Sequence, residues 1–332
     1  MNTLYDVVII GGGAGGLQSA IHMGRYGWKT LVIDRGKGRT FYSPVYHNLL
    51  GFPEGISGAE LLMRGKKQAK KYGVEFLNKI VIDVIKDESG MFTITAQRRK
   101  EFREHSNLEI SIIHTRKLVI ATGIMDQHPN VPNVYHWAGY SIYYCPDCDG
   151  YELRNKRVVV VGKGDGVAKK ALMLLNWTRN MTIVNVDTHS AISPNLLAQL
   201  SDYNITIYQS ELKEFSGSSR DRIEKVILQD GTEIVTDLVF SSLGMYSVNS
   251  ELGSKLGIKT LDNGHIIVDA RTKETSVRNV WAVGDIVAHS QQVMIAMGDG
   301  AQAAIWINKS LRGDGLLPQI DLIDEEAILT TN

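Results

Sequence analysis

Cysteine is nearly absent. The 332 residues contain two, Cys145 and Cys148, too few for a framework of structural disulfides. Such poverty fits a reducing compartment, where disulfides that do form are catalytic or redox-sensing; the expected setting is cytoplasmic. Net charge is missing as well. The 36 basic and 36 acidic residues cancel, which removes the footprint of a nucleic-acid binder and the polybasic surface of a membrane partner. Long apolar runs do not occur: Val7–Ile10 and Val158–Val161 are typical, far short of the ~20 residues that cross a bilayer. No basic stretch leading into an apolar core opens the chain, so no secretory signal is expected, and no tract is of low complexity. What is present is an ordinary globular composition, 43% hydrophobic and 22% charged, in a chain long enough for about two domains.

Two glycine-rich loops divide that length. Val7–Ile10 reads as a buried parallel strand, Leu17–Tyr26 as a helix and Thr30–Ile33 as the next strand. Between the first strand and the helix, Gly11, Gly13 and Gly16 meet the Gly-x-Gly-x-x-Gly pattern, with Ala14 inside it, and Asp34 closes the second strand. Gly11 permits the tight turn, Gly13 lets a pyrophosphate approach the backbone, and Gly16 lets helix and strand pack. The helix offers free amides to the phosphates, and Asp34 can accept from ribose hydroxyls. A second unit begins with a strand at Arg157–Val161, the loop Gly162-Lys163-Gly164-Asp165-Gly166-Val167, a helix at about Ala168–Trp177, and a strand at Thr182–Val186 closed by Asp187. Between the units lie short strands at Met91–Ala96 and Glu109–His114, joined by a charged loop at 98–105, then an apolar strand Lys117–Ile120. Leu238–Phe240 and Val280–Val283 read as later buried strands, followed by a small-residue helix from about Met294 to Asn308 and a mildly acidic tail from Gly313.

The cysteines stand in Tyr-Cys-Pro-Asp-Cys-Asp-Gly. A Cys-x-x-Cys spacing closes a small, easily reduced ring and lowers the pKa of one thiol, so that thiolate is available near neutrality. Pro146 suits the first position of a short helix capped by Cys145, where a thiolate is favoured. Structural zinc calls for four ligands; there is no second cysteine pair, and His128 and His136 lack a ligand spacing. No metal is expected. The pair reads as redox-active, with inert buried thiols in a nucleotide-sensing or partner-binding protein as the bland alternative.

Gly11–Gly16, Ala121-Thr122-Gly123, Cys145–Gly150, Gly162–Val167 and Trp281-Ala282-Val283-Gly284-Asp285, taken in order, resemble the low-molecular-weight thioredoxin reductase family over nearly the whole chain. The resemblance implies an α/β fold of two dinucleotide-binding, Rossmann-like ββα domains, the second inserted in the first. Residues 1–116 and 245–332 form the FAD domain, and 117–244 form a pyridine-nucleotide-type domain carrying the cysteines. It implies a homodimer, and FAD contacts at Gly11, Gly13, Ala14, Gly16, Asp34, Asn48, Val81, Ala121, Thr122, Gly123, Gly284, Asp285, Gln291, Gln292 and Val293. The family usually has Arg-Gln-Ala where Gln291-Gln292-Val293 stands. By the same resemblance Cys148 faces the flavin, Cys145 exchanges with the outside sulfur, and Asp149 is the acid/base that manages the thiol proton.

At the second loop the chain departs from the family. NADPH-dependent members carry His-Arg-Arg after the second strand, whose guanidinium groups pair with the 2′-phosphate; here the positions read Asn185-Val186-Asp187. Phosphate recognition leans on arginine forks, and Asp187 repels a dianion. The second site (Gly162, Gly164, Asp165, Asp187) is therefore expected to take NADH, a second FAD, or nothing, rather than NADPH. The expected activity is FAD-dependent thiol–disulfide exchange between the Cys145–Cys148 pair and a thioredoxin-like protein or a small disulfide or dithiol. The alternatives are a dithiol oxidase using oxygen, or an enzyme with ferredoxin or a second flavin as electron partner.

Overall fold

A computed structural model describes residues 4–98, 109–126, 128–243 and 246–318. Nearly all of the charged loop expected at 98–105, and most of the acidic tail expected from Gly313, lie outside the described residues. The chain divides into two units, one of Met1–Met125 with Val248–Asn332 and one of Asp126–Ser247.

Unit 1 is built on a sheet in the order β3-β2-β1-β6-β5-β4, comprising β1 (Leu4–Ile10), β2 (Thr30–Ile33), β3 (Glu75–Leu77), β4 (Ile80–Lys86), β5 (Phe92–Gln97) and β6 (Ile110–Ile120); a further strand, Val280–Ala282, pairs with β6. The sequence pattern separates Glu109–His114 from Lys117–Ile120, and the family resemblance implies a domain boundary between 116 and 117. In the structure these are one strand doing two jobs, and the boundary falls at 125/126. The first half of β6 pairs antiparallel with β5, while its second half lies parallel between β1 and Val280–Ala282. Burial follows the change of neighbours: alternate residues are buried in the first half, and all of Lys117–Ile120 in the second, as expected of a strand covered on both faces. Val8, Ile10, Leu118 and Ile120 pack on one side with Phe92 and Ile94; Val7, Ile9 and Val119 pack on the other against the helices. Those helices are α1 (Ala14–Arg25) and the last helix, Val293–Gly313. The first begins earlier than the sequence suggests, because Ala14, Gly15 and Gly16 of the loop already occupy its first turn, whereas the last starts within one residue of the expected position.

Unit 2 has a parallel sheet in the order Thr206–Gln209, Met181–Asn185, Val158–Gly162, Leu238–Ser242, Ile142–Tyr143. Its central strand shows how the layers are assigned. Val158 and Val160 pack against the helix Gly164–Leu174 through Val167, Ala168 and Ala171, while Val159 and Val161 face Phe215, Val226, Leu228 and Ile234. The last four residues lie in or beside the antiparallel strands Leu212–Ser219, Arg222–Leu228 and Glu233–Val235. Burying each valine contributes about 1.5–3 kcal/mol, so both faces are specified. Each unit thus carries a Rossmann-like parallel sheet. No helix among the described residues is long and apolar enough to cross a membrane.

Candidate active site

At the first glycine loop, the Gly11 N–H donates to the Ile33 carbonyl and the Ala121 N–H to the Ile10 carbonyl, both at 2.8 Å. Gly11 has φ of 110°, and a Cβ there would stand 2.2 Å from the Ala121 oxygen; one on Gly16 would meet the Gly11 oxygen at 2.0 Å. Neither position admits a side chain. Gly13 caps α1 with no side-chain partner, no acidic residue stands in the first turn, and the space beyond Gly13 is open. Asp34 is fixed by its N–H to the Leu77 carbonyl, and its carboxyl carbon is 3.0 Å from where a Gly12 Cβ would be. Open amides at a helix start beside a carboxylate fit the pyrophosphate and ribose of FAD.

Further expected contacts gather in the same unit. Asn249 locks Ala121-Thr122-Gly123: its N–H donates to the Gly123 carbonyl, its side-chain amide to the Thr122 carbonyl at 2.9 Å, and its backbone carbonyl accepts from the Thr122 hydroxyl at 2.7 Å. Val81 lies at a register shift in β4, and Asn48 is exposed. The Val283 N–H donates to the Ile120 carbonyl, which places Gly284 and Asp285 beyond the end of the sheet. Gln292 caps the last helix, which starts at Val293. The guanidinium absent from position 291 is matched by one from elsewhere. Arg39, on the short helix Arg39–Tyr42, donates to Asp285 at 3.0 Å and to the Gln291 side-chain oxygen at 3.2 Å. The Gln291 amide lies 3.4 Å from His265. Sequence reasoning misses Arg39 and Asn249, since 246 residues separate Arg39 from Asp285 and 127 separate Thr122 from Asn249.

In unit 2, Cys145 and Cys148 form a disulfide with Cα atoms 5.3 Å apart. Cys145 caps the helix Pro146–Asp149 with Pro146 at its start, as expected, and its carbonyl accepts from the amides of Cys148 and Asp149. Both cysteines are half-buried. Asp149, also half-buried, faces Tyr143, whose hydroxyl is pushed up to about 12 first by burial and then by the carboxylates of Asp149 and Glu152. Gly150 lies so close to the Trp177 indole that a Cβ would come within 2.6 Å. Tyr144, next to Cys145, is hydrogen-bonded to His128 at 2.7 Å. No group of three or more potential metal ligands occurs among the described residues.

The second glycine loop is occupied by its own chain. The Gly164 N–H donates to the side-chain oxygen of fully buried Asn185, whose amide donates to the Ser190 carbonyl and to Gln209. Asp165 accepts from the Ser193 N–H at 2.7 Å and Asp187 from the His189 N–H at 3.1 Å, folding 187–193 over the turn. The Gly162 carbonyl accepts from Val186, and the Ser190 hydroxyl stands 2.5 Å from where a Gly164 Cβ would be. Where the first helix presents open amides, this one presents a filled turn with an acid in it.

Comparison with known proteins agrees with this geometry. The model of the pyridine nucleotide-disulphide oxidoreductases matches residues 5–300. The thioredoxin reductase of Treponema pallidum is 30% identical, covering 92% of this chain and 96% of its own. A 34.2 kDa protein in the rubredoxin operon of Clostridium pasteurianum is 31% identical, covering 93% and 97%. The crystal structure of thioredoxin reductase from Streptococcus pyogenes superposes with a TM-score of 0.81 over 94% of this chain and 100% of its own; at 24% identity it speaks for the fold alone.

Proposed function

This chain belongs to the pyridine nucleotide-disulphide oxidoreductases, in the thioredoxin reductase-like group of FAD-dependent enzymes that act on sulfur, and from that premise we propose that its working centre is the Cys145–Cys148 pair. FAD, when bound, supplies a two-electron carrier. The residues of this chain handle the sulfur chemistry. In the reducing direction the Cys145 thiolate attacks one sulfur of the partner disulfide, and the other sulfur leaves as a thiolate that takes up a proton. Cys148, deprotonated with Asp149 as base, then attacks the Cys145 sulfur. The Cys145–Cys148 bond forms, the mixed disulfide breaks, and the partner departs as a dithiol. Gly11, Gly13, Gly16, Asp34, Ala121-Thr122-Gly123, Asp285 and the start of the last helix hold the flavin. The observation that carries the reading is the disulfide itself, set with half-buried sulfurs at a helix start.

The partner we propose is a thioredoxin-like protein, in a homodimeric enzyme of the cytoplasm. NADPH is not the electron source. What supports this is that Asn185 takes the first helix amide, Asp165 and Asp187 hold the loop over the turn, and the run Asn185-Val186-Asp187 offers no arginine. The relative from a rubredoxin operon supports reading the donor as a small redox protein, and the one we propose is ferredoxin. Anaerobic mixing of the yellow protein with NADPH, NADH, a dithiol, reduced ferredoxin and reduced thioredoxin tests this. Rapid bleaching of the flavin band by NADPH rejects the NADPH claim. Cys148→Ser is expected to abolish flavin–dithiol exchange, and full exchange in that variant ends the proposal.

A further inference from the structure

The Gly284–Asp285 turn is anchored by a group that the sulfur chemistry does not use. Asp299, in the second turn of the last helix, is 4% exposed. One of its oxygens accepts from the Gly284 N–H at 3.1 Å and from His289 Nε2 at 2.5 Å; the other accepts from Lys273 Nζ at 2.9 Å. A buried carboxylate persists only when paired, and here three donors from two stretches of chain, Lys273 and the turn Gly284–His289, supply the pairing. The first two matter most, because Gly284 and His289 lie on either side of Asp285 and converge on a single oxygen. The segment that carries Asp285, and beyond it Gln291, is thereby stapled to the helix.

The protonation state of His289 is set by its partners. Nε2 faces a carboxylate oxygen, and Nδ1 lies 2.8 Å from the Ser290 carbonyl. Both partners can only accept, so both ring nitrogens donate, and the ring is an imidazolium. A neutral ring leaves one acceptor without a donor. The hydrogen bond to Asp299 raises the His289 pKa above its ordinary value, against an opposing contribution from burial. The charged and titratable groups facing His289 are Asp299, Lys273, His265 and, further on, Asp285.

We propose that Asp299 is a positioning residue for the flavin-binding turn, and that protonated His289 tightens the flavin's hold. The proposal rests on the reading that Asp285 and its neighbours contact FAD. The imidazolium fixes the sign. The staple is complete below the ordinary histidine pKa and loses its imidazolium, and with it one of the ring's two donated bonds and the charge on the Asp299 contact, as pH rises through the raised one. The test is FAD release from the diluted holoenzyme, followed as the gain in free-flavin fluorescence between pH 6 and 9. The wild type should release FAD about tenfold faster at the alkaline end, as loss of one charge-assisted hydrogen bond implies. His289→Gln, which does not titrate, should release at the fast rate at every pH, and Asp299→Asn should do likewise. Should Asp299→Asn fail to fold, Lys273→Met leaves His289 as the sole cation on the carboxylate and should steepen the pH dependence. Identical pH profiles for the wild type and His289→Gln, or an unchanged slope in Lys273→Met, overturn the proposal. Asp34→Ala separates the staple from the flavin site. If it retains FAD like the wild type, the flavin-site reading itself fails; if it loses FAD while His289→Gln matches the wild type, only the staple fails.

Discussion

Tyr144 holds its hydroxyl against His128 in the residue next to Cys145, and both side chains are shifted by burial. Burial pushes the Tyr144 hydroxyl well above the ordinary tyrosine range, and it lowers the His128 pKa against the pull of Asp126. His128 is therefore neutral in the folded chain near pH 7 and charged more readily in the unfolded one. Because the unfolded state binds the extra proton, this histidine costs stability as pH falls below about 6.5. His128→Gln retains a partner for the tyrosine but does not titrate. Thermal unfolding at pH 7.5 and 5.5 should show the wild type losing stability relative to His128→Gln at the lower value. Equal shifts in both proteins refute the assignment.

At the scale of elements, the two glycine turns share a sequence pattern and differ in what fills them. Asn185 closes the second by receiving the Gly164 amide and donating to Ser190 and Gln209. Truncation to alanine leaves a buried N–H and a buried carbonyl unpaired, each worth about 1–3 kcal/mol. Asn185→Ala should lower the urea midpoint by the equivalent of ~2–4 kcal/mol without loss of bound FAD; an unchanged midpoint counts against the inward-turned amide. The glycines, the strands and the helix start at Pro146 are legible in the sequence because each arises from local periodicity or backbone sterics. The direction in which Asn185 points is not, since it depends on a loop folding back from 187–193. Nor is the union of two short strands into β6, because Arg116 and Lys117 interrupt the apolar pattern. Lys117 is nonetheless buried, with its ammonium on Asn279 and Asp314. Arg39 and Asp299 carry no local signal, for their partners are set by tertiary packing.

For the whole molecule, the division into units is also a division in chain order. Unit 2 is one uninterrupted stretch, whereas unit 1 needs both ends of the chain. The sheet of unit 1 lacks the neighbour of Leu118–Ile120 until Val280–Ala282 arrives, and α1 lacks its cover until the last helix does. A chain cut after residue 250 should therefore show protease protection confined to 126–247, with cleavage sites open in 4–125; equal protection of both regions contradicts this. Domains form as units during synthesis at about 5–20 residues per second. Residues 4–125 are translated before the rest of their unit and wait some ten seconds or more, on the order of the time needed to translate the stretch up to the last helix. Its apolar strands stay without their final neighbours for that interval, and a seat for the flavin is finished only when the last helix has arrived.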